Sequence, residues 1–292
     1  MKDLSGRTCA VTGANSGIGQ KVAEGLAGYG ATVIMVCRNR DRGEAARSKI
    51  AARVEGAELR LRLCDLAALD DVRRLARDLS SEHSRLDLLV NNAGVYRAKL
   101  EITADGFEKT MAVNHLAHFL LTHLLMAPLT AARGRVINVS SAAHTSGHLR
   151  RAPLESIIRG DGDYDGFRAY GDSKTANILF TRELARRCGD SGLTVAAVHP
   201  GAVATRIYNQ NDNLSSLIVR LFKPLMRSPA SGARPCLWLA TRPDPDRMQG
   251  RYFVRMKEAL PQPDARDDQL ARRLWELSAR LTGTYDGAAD VQ

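Results

Sequence analysis

Short apolar runs recur along the chain, and the stretches between them place their apolar residues at three- and four-residue spacing. The runs are Thr8–Thr12, Thr32–Cys37, Glu58–Leu63, Leu86–Asn91, Arg135–Ser140, Thr194–His199 and Arg251–Val254. The first three are continuous or nearly so in apolar character, which predicts strands covered on both faces. Lys21–Gly28 and Leu69–Leu79 carry the helical spacing. Strand and helix patterns that alternate in this way predict right-handed crossovers and a parallel sheet. The expected fold class is therefore α/β: one doubly wound domain over residues 1–292, with a mostly parallel sheet of about seven strands and helices on both faces.

Two stretches break the rhythm. Between Ser141 and Tyr170 lies a polar segment rich in Gly and Asp. Between Gly201 and Ser228 a second excursion carries Leu214, Leu217, Ile218, Leu221, Phe222, Leu225 and Met226 at helical spacing. Long connections in α/β domains serve as surface loops or active-site lids. The 201–228 segment is expected to be a substrate lid, with packing on the domain or a subunit contact as the alternatives. The pattern at Leu270–Leu281 predicts a packing helix.

Composition narrows the class without deciding it. Apolar residues make up 44% and charged residues 25% of 292, which is ordinary for a soluble domain. The net charge of +10 is scattered among interleaved acids, with no basic run interspersed with aromatics, so no nucleic-acid partner is expected. Five separated cysteines without a C-x-x-C suit buried thiols in a reducing compartment. No apolar leader precedes Thr8, and the apolar stretch Leu116–Leu129 is interrupted by His118, His123 and Pro128. No signal and no membrane anchor are expected, and the location predicted is cytoplasmic.

The first apolar run leads into T-G-A-N-S-G-I-G at Thr12–Gly19, followed by a helical pattern. Glycines at Gly13, Gly17 and Gly19 let the backbone turn tightly and approach a pyrophosphate, whose charge is favoured at a helix start. The spacing is not G-x-G-x-x-G, and no G-K-[ST] follows, so this is not a phosphate loop of the nucleotide-triphosphatase kind. After the second run the chain reads C-R-N-R at Cys37–Arg40, with no carboxylate until Asp41. A carboxylate there would suit a ribose 2′-hydroxyl, whereas the Arg38 fork suits a 2′-phosphate, with Arg40 or Arg42 assisting. NADP(H) is the expected cofactor. Asp65 follows the third run, and Asn91, Asn92, Ala93 and Gly94 follow the fourth, at the sheet edge where such folds bind ligands.

Reducing a carbonyl needs a proton on its oxygen as well as a hydride on its carbon. A Tyr hydroxyl can give that proton once a nearby cation lowers its pKa from about 10. Tyr170 and Lys174, in Y-G-D-S-K, lie one turn apart on one helix face if Tyr170–Arg182 is helical. Ser140 and Ser141 close the fifth run, and either hydroxyl can meet a substrate oxygen. Asn114 sits inside an apolar helical run, disfavoured there by propensity, so it has either a functional role or a solvent-facing position. The histidines at 115, 118, 123, 144 and 148 show no convergent ligand set, and no metal is expected.

T-G-A-N-S-G-I-G, N-N-A-G, I-N-V-S-S, Y-x-x-x-K and H-P-G, in this order across nearly the whole chain, resemble the short-chain dehydrogenase/reductase family. V-N-H-L-A-H-F-L-L-T and S-K-T-A-N-I-L-F look most like its retinol-dehydrogenase-like branch. The resemblance implies a Rossmann fold and hydride transfer between NADP(H) and a carbonyl/alcohol pair on a lipophilic small molecule. It implies Tyr170 as proton donor, Lys174 as ribose ligand and pKa modulator, and Ser141 as holder of the carbonyl. It also implies Asn114 as support for a water in a proton relay. The cofactor would be bound by Gly13, Asn15, Ser16, Gly17, Ile18, Gly19, Arg38, Asp65, Leu66, Asn91, Ala93, Gly94, Tyr170, Lys174, Pro200, Gly201 and Thr205. Animal members of the branch often carry an N-terminal anchor, whereas here the first strand begins near the start, so membrane retinoid metabolism is not implied. The family's habit implies a homodimer or homotetramer. A non-catalytic NADP(H)-sensing module that binds a partner is the alternative, and it would have no need of a tuned proton donor.

Overall fold

The computed structural model describes residues 3–189, 191–201 and 228–284. β1 (Thr8–Thr12), β2 (Thr32–Cys37), β3 (Leu59–Leu63), β4 (Leu88–Asn91), β5 (Arg135–Val139), β6 (Thr194–His199) and β7 (Arg251–Val254) run parallel in the order β3-β2-β1-β4-β5-β6-β7. An eighth strand, β8 (Lys257–Glu258), pairs antiparallel with β7. The chain turns between them at Arg255 and Met256, with φ of 51° and 62°. Both values lie in the left-handed region of a tight hairpin turn. Neither residue is the Gly or Asn that would announce one, so the eighth strand was not legible.

Side chains alternate along each strand, and the alternation sorts them into two cores. Cys9, Val11, Leu88, Val90, Ile137 and Val139 meet α1 (Gly17–Ala27), α2 (Arg40–Ala51) and the helix Pro229–Thr241. Ala10, Leu89 and Val136 face the other way. They meet α3 (Leu69–Glu82) and the long segment made of α4 (Lys109–Met111), a π-helical turn (Ala112–Leu116) and α5 (Ala117–Leu124).

The fourth crossover ends in α6 (Met126–Ala131), and the fifth holds α7 (Leu154–Arg159) and α8 (Gly166–Cys188). Asp165 starts α8 by accepting from the amides of Phe167 and Arg168. The next turns are buried all round, from Ala169 to Thr181. Such burial follows because the sheet covers one face and the helix Asp268–Leu281 covers another. Trp275 of that helix lies edge-on to Phe119 at 4.9 Å and stacked on Phe180 at 5.9 Å, and Ser278 bonds His115.

The strand order reverses between β1 and β4, which opens a crevice at their carboxyl ends. Thr12 crosses that crevice: its hydroxyl accepts from the amides of Asn92 and Ala93, each at 2.9 Å. The Asn92 side chain returns a bond to the Thr12 carbonyl at 2.7 Å. The two loops that frame the site are thus locked together.

Candidate active site

A cleft of about 570 Å³ opens at the reversal point, well within the usual range for small-molecule sites. Its floor is the glycine turn. Gly13 and Gly17 have φ of 67° and 58°, so both need the freedom of glycine. A Cβ on Gly19 would collide with the Gly13 carbonyl and the Asn92 amide, so the close approach of turn and β4 loop depends on its absence. Ser16 precedes α1 without a side-chain cap, and no acid occupies the first helical turn. The amides and positive end of α1 are left for an outside anion, and the turn fits a pyrophosphate.

Asn15, Ser16, Ile18, Arg38, Asp65, Leu66, Ala93, Gly94, Pro200 and Gly201 line the same cleft. Arg38 and Arg42 are exposed at its edge, and neither has an ion-pair partner among the described residues. Arg40 is not in the wall. Asp65 holds its own loop by accepting from the Ala67 amide at 3.0 Å.

The predicted catalytic residues converge at the opposite end. Tyr170 and Lys174, both buried, share one face of α8, with the Lys174 ammonium 5.5 Å from the Tyr170 ring centre. Burial pushes the Lys174 pKa down to about 8. Its Nζ donates to the Val139 carbonyl at 3.0 Å, at the end of β5. Tyr96 meets the Tyr170 ring edge to face at 6.2 Å. The two serines separate clearly. Ser140 donates to the Lys174 carbonyl at 2.8 Å and is buried. Ser141 starts a short 3₁₀ turn, accepting from the Ala143 amide at 3.2 Å, and keeps a donor for another group.

One predicted residue stands elsewhere than expected. Asn91 does not line the cleft. It is the last residue of β4, and its amide donates to Thr122 and Asn138 behind the sheet; the next residue, Asn92, occupies the wall. Asn114 lies in the π-helical turn with no solvent exposure, contrary to a solvent-facing position. Its side chain accepts from the Val95 amide and donates to the Val95 carbonyl and to Ser173. Only its backbone carbonyl is left to serve a relay, and His118 Nδ1 bonds that carbonyl at 3.1 Å. A Cβ on Gly94 would sit 3.4 Å from Asn114 Oδ1 and 3.6 Å from Lys174 Nζ, so all three meet at one point. Thr205 and the 202–227 part of the expected lid lie outside the described residues. The described residues hold no cluster of three potential metal ligands.

Sequence reasoning missed Val95, Val113, Ala142, Ala143 and Phe167, which form an apolar wall on the Tyr170 side. Phe167 lies one turn before Tyr170 on α8, and that spacing is the signal that was available. His144 is buried and does not line the cleft, its ring Nδ1 lying against the Ser141 carbonyl.

Residues 7–153 and 156–214 match the short chain dehydrogenase family. The chain is a short-chain dehydrogenase/reductase. Within that family it belongs to the retinol-dehydrogenase-like branch. Human retinol dehydrogenase 13 is 41% identical over 286 residues, which span 96% of this chain and 86% of that protein. Retinol dehydrogenase 12 of Bos taurus is 41% identical over 281 residues, 96% of this chain and 87% of that protein. Among solved structures, an uncharacterised protein from Mycobacterium paratuberculosis superposes with a TM-score of 0.77 at 36% identity, over 97% of this chain and 96% of that one. As a short-chain dehydrogenase/reductase the chain is a nicotinamide-dependent oxidoreductase acting on a small molecule. No helix among the described residues is long and apolar enough to cross a membrane.

Proposed function

We propose that this dehydrogenase/reductase interconverts a carbonyl and an alcohol on a lipophilic small molecule with NADP(H). The observation that carries the reading is the meeting of Tyr170, Lys174 and Ser141 at one end of a cleft whose other end holds the glycine turn and Arg38. Bound there, the nicotinamide would supply or accept the hydride. In reduction, Ser141 donates a hydrogen bond to the carbonyl oxygen and Tyr170 gives it a proton. The Lys174 ammonium stabilises the phenolate that remains, and the proton is restored from solvent past Lys174 and the Asn114 carbonyl. In oxidation Tyr170 removes the proton instead.

The preference for NADP(H) rests on Arg38, just past β2 where a carboxylate would favour NAD(H), and on Arg42 in the first turn of α2, neither with an ion-pair partner among the described residues. The lipophilic substrate rests on the wall of Val95, Val113, Ala142, Ala143 and Phe167, and agrees with the retinol dehydrogenases among its relatives. Five buried thiols, all kept protonated because burial raises their pKa, suit a cytoplasmic setting. Assembly into a homodimer or homotetramer completes the proposal, and light scattering tests it.

The deciding experiment follows NADPH oxidation with lipophilic aldehydes and ketones, with Tyr170→Phe alongside. Turnover should fall by several orders of magnitude in the variant while NADPH binding persists. Undiminished turnover would refute the assigned mechanism. No turnover in either protein, with NADPH bound tightly, would favour the sensor.

A further inference from the structure

The loop that carries Ser141 is fastened from two sides. From within the catalytic helix, Asp172 accepts from the His148 amide at 2.8 Å and pairs with Arg151 at 2.6 Å, and Thr175 donates to the His144 carbonyl at 3.0 Å. From the far end of the chain, the segment after β8 reaches over the loop. Arg150 pairs there with Asp264 and Asp267. The Gln262 side chain donates to the Gly147 carbonyl at 2.8 Å and to the Thr175 hydroxyl at 3.2 Å.

Between these fastenings sits the His144 ring, buried and edge-on to Tyr252 at 5.2 Å. Its Nδ1 lies 2.8 Å from the carbonyl oxygen of Ser141, and its Nε2 lies 3.3 Å from the Gln262 amide nitrogen. A carbonyl can only accept and an amide N–H can only donate. The ring is therefore satisfied by one form alone, the neutral tautomer with hydrogen on Nδ1. In that form it ties the backbone of Ser141 to Gln262, 118 positions beyond His144 along the chain.

We propose that His144 is a positioning residue for Ser141, with Gln262 fixing the ring, so that the segment after β8 sets the serine hydroxyl against Tyr170. The proposal rests on the reading of Ser141 as the group that holds the carbonyl. The Ser141 carbonyl also accepts from the His144 backbone amide at 3.1 Å, and the ring bond is the one that links it onward to Gln262, in a segment with no motif of its own. A displacement of about 1 Å at a reacting group costs on the order of 100-fold in rate, which sets the size of the expected effect.

Asn and Gln at position 144 separate positioning from packing. The Asn amide nitrogen falls near the place of Nδ1 and can still donate to the Ser141 carbonyl, whereas the Gln amide falls near Nε2 and cannot. With decanal as probe, His144→Asn should keep kcat/KM within about threefold of the unmodified protein, while His144→Gln should lose about 100-fold. Dissociation constants for NADPH and NADH, from fluorescence titration, should not move in either. Gln262→Met keeps the side-chain length and the backbone amide that meets His144 Nε2, but removes the side-chain bonds to Gly147 and Thr175 that hold the segment in place; it should act in the same direction with a loss of about tenfold. Equal losses in the Asn and Gln variants, or none in either, would overturn the proposal. Ser141→Ala runs alongside: if it keeps full activity, the reading of the site has failed, and the clamp with it. A readout independent of turnover is the imidazole nitrogen spectrum. His144 should show the Nδ1–H tautomer across neutral pH in the unmodified protein, and an Nε2–H tautomer there would overturn the proposal whatever the substrate.

Discussion

Acid should unfold this protein through two histidines that touch no substrate. His115 and His118 are buried beneath the helix Asp268–Leu281 and against Thr12. Burial, helped by the neighbouring His118, holds the His115 pKa down at about 3. Burial also holds His118 at about 4; Lys174 lowers it further, and the bond to the Asn114 carbonyl partly opposes the shift. In the unfolded chain both would titrate near 6.5. A base whose folded pKa is lowered binds fewer protons when native, so stability is full above about pH 6.5 and falls as the pH drops toward the folded pKa. Between pH 7.5 and 4.5 each imidazole should remove ~2.5 kcal/mol, and the pair ~5 kcal/mol, comparable with the whole stability of many domains. Urea unfolding at both pH values, on the unmodified protein and on His115→Phe/His118→Gln, measures the effect. Carboxylates common to both proteins cancel in the difference. The variant should be less stable at pH 7.5 yet lose ~5 kcal/mol less on acidification. Parallel pH dependences in the two proteins would show that these rings do not stay neutral in the fold.

Three further outcomes test the site. Arg38→Asp should raise the KM for NADPH about 10- to 100-fold relative to that for NADH, as expected from loss of a charge-assisted contact; steady-state kinetics with both cofactors would expose an unchanged ratio. Because the Lys174 pKa is pushed down to about 8, its charge is present below that pH and lost above it. Carbonyl reduction should therefore decline through pH 8, and in Lys174→Arg any remaining activity should lack that decline. Gly19→Ala should cost about 1–3 kcal/mol and weaken nucleotide binding, because its methyl meets backbone at Gly13; a thermal melt that matches the unmodified protein would count against the tight approach of the two loops.

The parts of the fold that read from sequence are those where burial imposes a pattern. β1, β2, β6 and β7 begin and end as the apolar runs predict, since both faces of each are covered. Where a run ends in polar residues the boundary slides: Ser140 leaves β5 yet its amide still bonds the Val198 carbonyl at 2.8 Å. The Tyr170/Lys174 pair was legible because helical spacing alone brings the two together. The Asn91/Asn92 assignment was not, because adjacent strand-end residues face opposite sides and only the register against β5, where Asn91 pairs with Asn138, says which is which. Asn114 was visible as an oddity, but the π-helical turn that holds it leaves no mark in composition. The His144–Gln262 contact joins segments too distant for any local pattern to reveal.

The cover that the helix Asp268–Leu281 places over α5 and α8 has a consequence for how the protein is made. Leu270, Leu274 and Leu277 belong to the same core as Phe119, Leu179 and Leu184, with Trp275 packed against it. The helix bearing Tyr170 and Lys174 is complete at Cys188, about 80 residues before its cover begins. At about 5–20 residues per second, a nascent chain shows that apolar face for roughly 4–16 s before the covering segment exists. Among the described residues, the helix bearing Tyr170 and Lys174 is thus sealed late, and synthesis of this protein passes through a stage with that helix bare and open to chaperones.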